Sequence, residues 1–198
     1  MHHDEELSFL PRAGIVHRLD KDTSGVMVVA KNEFSYLNLV SQLKERKVNR
    51  HYLALVVGEP LSGSTINEPI GRHPKLRTKQ AVTDAGKEAI TNFKIQERMG
   101  GYSLLNVSLE TGRTHQIRVH LAFINFPILG DSVYGGRKKF AAGTSEAVKK
   151  EILKFPRQAL HAEKLEFIHP KSGKKINYSA KIPKDLIQLI ELLKNLNE

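Results

Sequence analysis

The chain has 198 residues and a net charge of +10, from 31 Lys and Arg against 21 Asp and Glu. That length suits one domain with a real hydrophobic core, and 40% hydrophobic with 26% charged residues is ordinary globular composition. The absence of cysteine excludes disulfides, thiolate metal sites and cysteine nucleophiles together and fits the cytoplasm; no apolar run approaches about 18 residues, and the opening MHHDEELSFL is too polar for an export signal. The positive balance points to a polyanionic partner, since each phosphate contacted releases counterions and adds sequence-independent affinity.

In chain order, GVMVVAK (25–31) is a short apolar run bounded by Gly and Lys and predicts a strand. Asn32 predicts a helix cap for residues 33–46, with Phe34, Leu37, Val40 and Leu43 as its apolar stripe. HYLALVVG (51–58) predicts another strand. Residues 59–87 are rich in Gly, Pro and charge and predict loops with a short strand near Ile66. Residues 88–98 and 102–109 flank Gly100-Gly101 as a hairpin. Short helices are expected over 114–124 and 143–155, and paired strands over 158–168 and 174–182. Pro183 and the spacing of Leu186, Leu189, Ile190 and Leu193 predict a C-terminal helix. Most strand connections are too short for a helical crossover, so the expected class is α+β, with a largely antiparallel mixed sheet flanked by helices.

Two stretches carry candidate chemistry. His17-Arg18-Leu19-Asp20-Lys21-Asp22-Thr23-Ser24-Gly25 places polar groups in a loop ahead of an apolar run, where one reactive carboxylate can be fixed. Arg18 and Lys21 flank Asp20 and favour its ionised form; a plain surface turn with local ion pairs explains the same residues. Glu110 to His120 (ETGRTHQIRVH) breaks at Gly112 and enters a helix whose first turn, with Arg113, suits a phosphate. Arg118 lies where it can turn toward a carboxylate, and an ordinary charged helix start is the competing explanation. His115 and His120 are five apart, not four, and no HExxH pattern occurs, so no metal site is expected. Ser24 is not in a G-x-S-x-G elbow, and Gly135-Gly136 lacks the Lys-Ser/Thr of a phosphate loop. Asp131 reads as a cap at a pocket rim, and Arg137-Lys138-Lys139 as a solvated face.

HRLDKDTSG (17–25), RHYLALVVG (50–58), ETGRTHQIRVHLA (110–122), LGDSVYGG (129–136) and QALHAEKLEFIHP (158–170) occur in that order. Together they resemble the RluA family of pseudouridine synthases, most closely its D-type members that modify large-subunit ribosomal RNA, from about Pro11 to about Leu193. The resemblance implies the pseudouridine synthase catalytic fold and isomerisation of uridine with no cofactor. It implies three catalytic residues: Asp20 as the catalytic aspartate, Tyr52 as the tyrosine stacked on the target base and placed to help proton removal at C5, and Arg118 as the partner of that aspartate. Arg18 matches the residue that fills the space left by the flipped nucleotide, and Leu160 an apolar wall of the uracil pocket. Thr23, Arg113, Thr114, His115 and Gln116 are assigned to RNA contact or loop structure. The implied partner is large-subunit ribosomal RNA or a pre-ribosomal particle, with no membrane and no obligate protein partner.

Family members usually open with a small RNA-binding S4 domain and a K-P-x-G loop, neither of which is in this sequence. The expected organisation is a poorly ordered segment over 1–10 and a catalytic domain over 11–198 that is shortened at its N-terminus. Arg50 stands where the family often has Lys, a mild change for a phosphate contact. Two other readings compete. One is a catalytically weak RNA-binding fragment of such an enzyme. The other is a glycosidase using Asp20 and Glu110 as its carboxylate pair, against which stand the lack of Trp and the basic charge.

Overall fold

The apolar run at 51–57 forms the middle of the longest stretch of sheet. A computed structural model describes Leu7, residues 9–135 and residues 139–195. The strand β2 (Asn49–Val57) is buried from Tyr52 to Val57, as a strand covered on both faces must be. It pairs antiparallel with the hairpin strand β7 (Tyr102–Leu109) on one side and with β8 (Leu160–Ile168) on the other. Beyond β7 lie β6 (Ile90–Arg98) and β3 (Ser64–Asn67). The far edge of β8 is shared: β1 (Ser24–Gly25) pairs parallel with His161 and Ala162, and β9 (Lys175–Ser179) pairs antiparallel from Lys164 onward. The expected largely antiparallel mixed sheet is therefore what forms.

Four α-helices occur among the described residues. Three of them, α2 (Gln116–Phe123), α3 (Glu146–Lys154) and α4 (Lys184–Lys194), pack on the sheet and build the main core. The α4 stripe is the one expected: Leu186, Leu189, Ile190 and Leu193 are buried together. The fourth helix, α1 (Glu33–Lys44), is capped by Asn32, whose Oδ1 accepts from the Ser35 N–H at 2.9 Å. It forms a second, smaller core of Leu39 with Ala30, Val48, Leu165 and Phe167. No helix among the described residues is long and apolar enough to cross a membrane.

Three expectations need correction. The stripe Phe34, Leu37, Val40 and Leu43 is not the buried face of α1: Phe34 is 62% and Leu37 59% exposed. The helix is rotated to bring Leu39 and Gln42 inward. The Gln42 amide donates to the Ile168 carbonyl at 2.7 Å and accepts the Ile168 N–H at 2.9 Å, and this pair of bonds to the end of β8 fixes the rotation. The run 25–31 is not a continuous strand, because β9 occupies the edge of β8 past Ala162. Its amides go elsewhere: Val28 N–H to His17 and Ala30 N–H to the Gly14 carbonyl. The loop stretch 59–87 also contains a two-stranded ribbon of β4 (Ile70–Arg72) and β5 (Gln80–Val82). The expected poorly ordered segment falls mostly, and Gly136, Arg137 and Lys138 fall wholly, outside the described residues.

The register of β2 against β8 steps by one between His51 and Tyr52, leaving Glu163 unpaired. Arg50 then stands opposite Leu165, Tyr52 opposite Ala162, and Ala54 opposite Leu160. Directly opposite residues share a face, so the bulge keeps this whole set on one side of the sheet.

Gly25 has a φ of +126°, and a Cβ there would overlap the carbonyl oxygen of Ala162. Only glycine allows the loop carrying Asp20 to lie this close to β8. Gly25→Ala is expected to lower stability by more than about 2 kcal/mol, read as a reduced urea midpoint with unchanged slope.

Candidate active site

Three segments meet over that face of the sheet: the loop between residues 15 and 24, the β2–β8 pair and the turn from Glu110 to Gln116. They enclose a cavity of about 490 Å³ whose lining includes Arg18, Asp20, Thr23, Arg50, Tyr52, Arg113, Gln116 and Leu160. Seven of the ten site residues that the resemblance assigned thus share one concavity, together with Arg50.

Each segment is tied down by side-chain amides and imidazoles bonding to the main chain. Gln158 Nε2 donates to the Lys21 carbonyl at 2.6 Å and to Thr23 Oγ1 at 3.0 Å, which holds the Asp20 loop onto β8. His161 Nε2 bonds the Ala180 carbonyl at 3.2 Å, so that nitrogen carries the proton, and Nδ1 accepts from Ser24 Oγ at 2.9 Å. On the other wall, buried Gln116 donates to the Ile90 carbonyl and to Thr91 Oγ1, both at 3.0 Å. Its Oε1 accepts from the Arg113 N–H and from Thr111 Oγ1, both at 2.9 Å. Gln116 is thus a latch that shapes the turn, while Arg113 contributes to the cavity lining and donates through Nε to the Glu88 carbonyl at 2.9 Å.

Asp20 meets Arg118 as the sequence led one to expect, with Nη1 to Oδ2 at 3.5 Å. The stronger partner of Arg118 is a residue read from sequence as a cap. Asp131 takes both remaining edges of the guanidinium, Nε to Oδ2 at 2.7 Å and Nη2 to Oδ1 at 3.0 Å. It also caps, since Oδ1 accepts the N–H groups of Val133 and Tyr134 at 2.8 and 3.0 Å. Arg118 is 5% exposed and Asp131 fully buried. Burial works against the charge on both, and the hydrogen bonds between them outweigh it, so the pKa of Arg118 is raised and that of Asp131 lowered. The guanidinium also lies over the Tyr134 ring, 5.0 Å from its centroid.

Tyr52 lies on the same face, with its pKa raised, chiefly by burial, against the smaller opposing effect of Arg50. It is a neutral phenol here. Arg118, Thr114 and His115 are not on the cavity surface. Arg118 acts on it through Asp20, while His115, in a left-handed conformation at the start of α2, bonds the Tyr134 hydroxyl at 2.8 Å.

Residues 4–123 match a family model described as RNA pseudouridylate synthase. The chain belongs to that family. It is 52% identical over 191 residues to the protein named ribosomal large subunit pseudouridine synthase D of Xanthomonas campestris pv. campestris, covering 96% of this chain and 58% of the relative. Against the protein of that name from Escherichia coli (strain K12) it is 48% identical over 194 residues, covering 98% and 60%. The chain thus spans about three-fifths of the length of these curated relatives. Among solved structures it superposes on human RNA pseudouridylate synthase domain containing 4 with a TM-score of 0.73 at 26% identity, over 91% of this chain and 75% of that one. On domain containing 1 the TM-score is 0.70 at 28% identity, over 89% and 71%. The fold is that of a pseudouridine synthase domain.

Several residues lining this cavity were not singled out as cavity groups: His17, Arg12, Leu43, Lys44 and Arg46. The last three come from the end of α1 and the turn after it, a helix whose proximity no local pattern reveals. His17 Nε2 accepts the Val28 N–H at 3.1 Å, which requires the neutral ring. Burial, helped by the charge of Arg50, lowers its pKa from 6.5 to about 4.

Two predictions follow from this geometry. Asp131→Asn takes from a buried guanidinium its two-point counterion, leaving only the longer contact to Asp20, and is expected to cost about 3–5 kcal/mol, measured by urea denaturation. For His17 the unfolded chain binds the proton more readily than the folded one, so its contribution is complete above pH 6.5 and lost as pH falls toward 4. His17→Asn retains an acceptor for Val28 and is expected to flatten the fall in stability between those pH values by roughly 2–3 kcal/mol. Unchanged pH dependence in the variant would contradict the buried neutral ring.

Proposed function

We propose that this chain is the catalytic domain, over residues 11–198, of a cytoplasmic enzyme that isomerises uridine to pseudouridine in large-subunit ribosomal RNA, free or in a pre-ribosomal particle. The observation that carries the reading is Asp20, a carboxylate on the wall of a cavity, ion-paired from behind by Arg118 and sharing the space with Tyr52. The relatives named for the large ribosomal subunit support the substrate. So does the charge of the lining, which has six Lys or Arg (12, 18, 44, 46, 50 and 113) against two carboxylates (20 and 110).

The reaction breaks the N1–C1′ bond, turns the uracil and joins C5 to C1′. The C5 proton leaves and N1 gains one, so atoms balance with no redox step. Asp20 is the one carboxylate held by Arg118 at the cavity, and it serves equally for attack at C1′, addition to the ring or proton removal toward a glycal. The target uridine leaves its stack at a cost of about a few kcal/mol, and stacking on Tyr52 returns roughly 1–3 kcal/mol. Leu160 gives the pocket an apolar wall, and Arg18, exposed at the rim, is placed to fill the gap left in the RNA. Thr23 and Gln116 hold the two walls; Arg113 faces the RNA. Thr114 and His115 shape the turn.

The test is tritium release from large-subunit ribosomal RNA labelled at uridine C5. The parent chain is expected to release tritium and Asp20→Asn to release none above background. RNA binding without release by the parent chain would replace the enzyme by a catalytically weak RNA-binding fragment. Release by the variant equal to that of the parent would remove Asp20 from the chemistry.

A further inference from the structure

Arg50 is the one guanidinium at this cavity that is both deeply buried and without a counterion among the described residues. It is 8% exposed, and its Nε has no hydrogen-bond partner. The neighbouring cations are accounted for differently. Arg118 has Asp131 and Asp20, Arg46 has Glu88 and Glu110, and Arg12, Arg18 and Lys44 are in water. Burying a full charge costs several kcal/mol unless an opposite charge compensates, and burial indeed lowers the pKa of this group. A buried polar atom with no partner in a native fold calls for an explanation.

The surroundings indicate what is missing. Arg50 precedes Tyr52 by two residues on β2 and therefore points to the same face, beside the ring on which a base would stack. Across the cavity stands Gly112, where a Cβ would run into Nη1 of Arg50. Glycine at 112 therefore leaves room for the guanidinium, and its φ lies outside the left-handed region, so an Ala there would displace the mobile end of Arg50 without straining the backbone. No carboxylate of the described residues pairs with Arg50, and the uracil of an incoming uridine is neutral. The group on an RNA substrate that carries a full negative charge is the phosphate.

We infer that Arg50 is the seat for a backbone phosphate next to the flipped uridine, and that Gly112 keeps that seat open. The inference rests on the cavity receiving a flipped nucleotide, and it adds a residue that anchors the nucleotide's backbone while Tyr52 holds its base. The two Nη nitrogens, which no hydrogen bond or ion pair of the described residues engages, form the outer edge of a planar fork that suits two phosphate oxygens.

The test uses the whole chain and a large-subunit ribosomal RNA transcript. Equilibrium binding is measured across ionic strength for the parent, Arg50→Met, Arg50→Lys and Gly112→Ala, with melting temperature and single-turnover tritium release measured alongside. Arg50→Met keeps the apolar stem. It is expected to bind about fivefold more weakly near physiological salt and to reduce the slope of log K against log salt by roughly 0.7–0.9, the share of one phosphate. Its melting temperature in the absence of RNA is expected to stay level or rise, since an uncompensated buried charge has been removed. Arg50→Lys is expected to keep the slope, and Gly112→Ala to weaken binding by pushing the guanidinium aside while the fold is retained.

An unchanged slope in Arg50→Met overturns the inference. If that variant also melts lower, Arg50 is a packing residue; if instead tritium release alone slows, its charge serves the detached base. These outcomes are separable from failure of the isomerase reading. A parent chain that binds RNA without releasing tritium, with the slope still reduced in Arg50→Met, removes the reaction and leaves the phosphate seat.

Discussion

A buried guanidinium that must be satisfied on every edge organises this molecule. Arg118 reaches inward from the first turn of α2 and meets Asp131, from the turn after the short segment at Ile128–Leu129, in a two-point bond. The Val133 and Tyr134 N–H groups complete the carboxylate, and the Tyr134 ring covers the guanidinium. A pair buried this deeply contributes little net stability, because desolvation offsets most of the Coulomb attraction. What it contributes is position. With Nε and Nη2 fixed by Asp131, only Nη1 is left to face Asp20, and the direction of that last edge determines where the Asp20 carboxylate lies.

The rest of the scaffold holds Asp20 from the opposite side. Its loop precedes a strand of only two residues, too short to be rigid by itself. Its order comes from Gln158 bonding the Lys21 carbonyl and from the Ser24–His161–Ala180 chain, which joins β1, β8 and the segment after β9. The Glu110–Gln116 turn is held in the same manner by Gln116. Both walls thus use a buried amide to satisfy main-chain groups that no strand partner reaches. This gives loop residues the positional precision of the sheet beneath them.

The sequence carried the local part of this arrangement and not the part that depends on register or distant partners. Asp20, Tyr52 and Arg113 were legible because ordered motifs carry them, and α4 because Leu186, Leu189, Ile190 and Leu193 repeat at helical spacing. The face of α1 was misread because Phe34, Leu37 and Val40 satisfy the same spacing while remaining exposed; the decisive group is polar Gln42, which periodicity counts as a surface residue. The strand expected over 25–31 failed because apolarity says nothing about whether a strand edge is already occupied by β9. Asp131 was visible as a cap, since its N–H donors are two and three residues away, but its bond to Arg118 spans thirteen residues and a change of element. Arg50 was seen only as Arg standing where the family often has Lys, just ahead of the strand expected over 51–58. That it is buried beside Tyr52 needs the β2–β8 register and its bulge.

The two buried arginines of the cavity divide its electrostatics. Around Arg118 two carboxylates stand against one guanidinium, with Arg18 exposed at the rim beside Asp20. Around Arg50 no carboxylate is paired and the potential is positive, reinforced at the rim by Arg12, Lys44 and Arg113. A polyanion approaching this cavity is drawn toward the Arg50 side and repelled from Asp20. On the proposed RNA reading, that gradient would orient the nucleotide, with its phosphate toward Arg50 and the carbons of its ribose and base toward Asp20. On that reading the counterion missing from Arg50 and the carboxylate at Asp20 are one feature, since a single ligand would bring negative charge to one end of the cavity and a neutral base to the other.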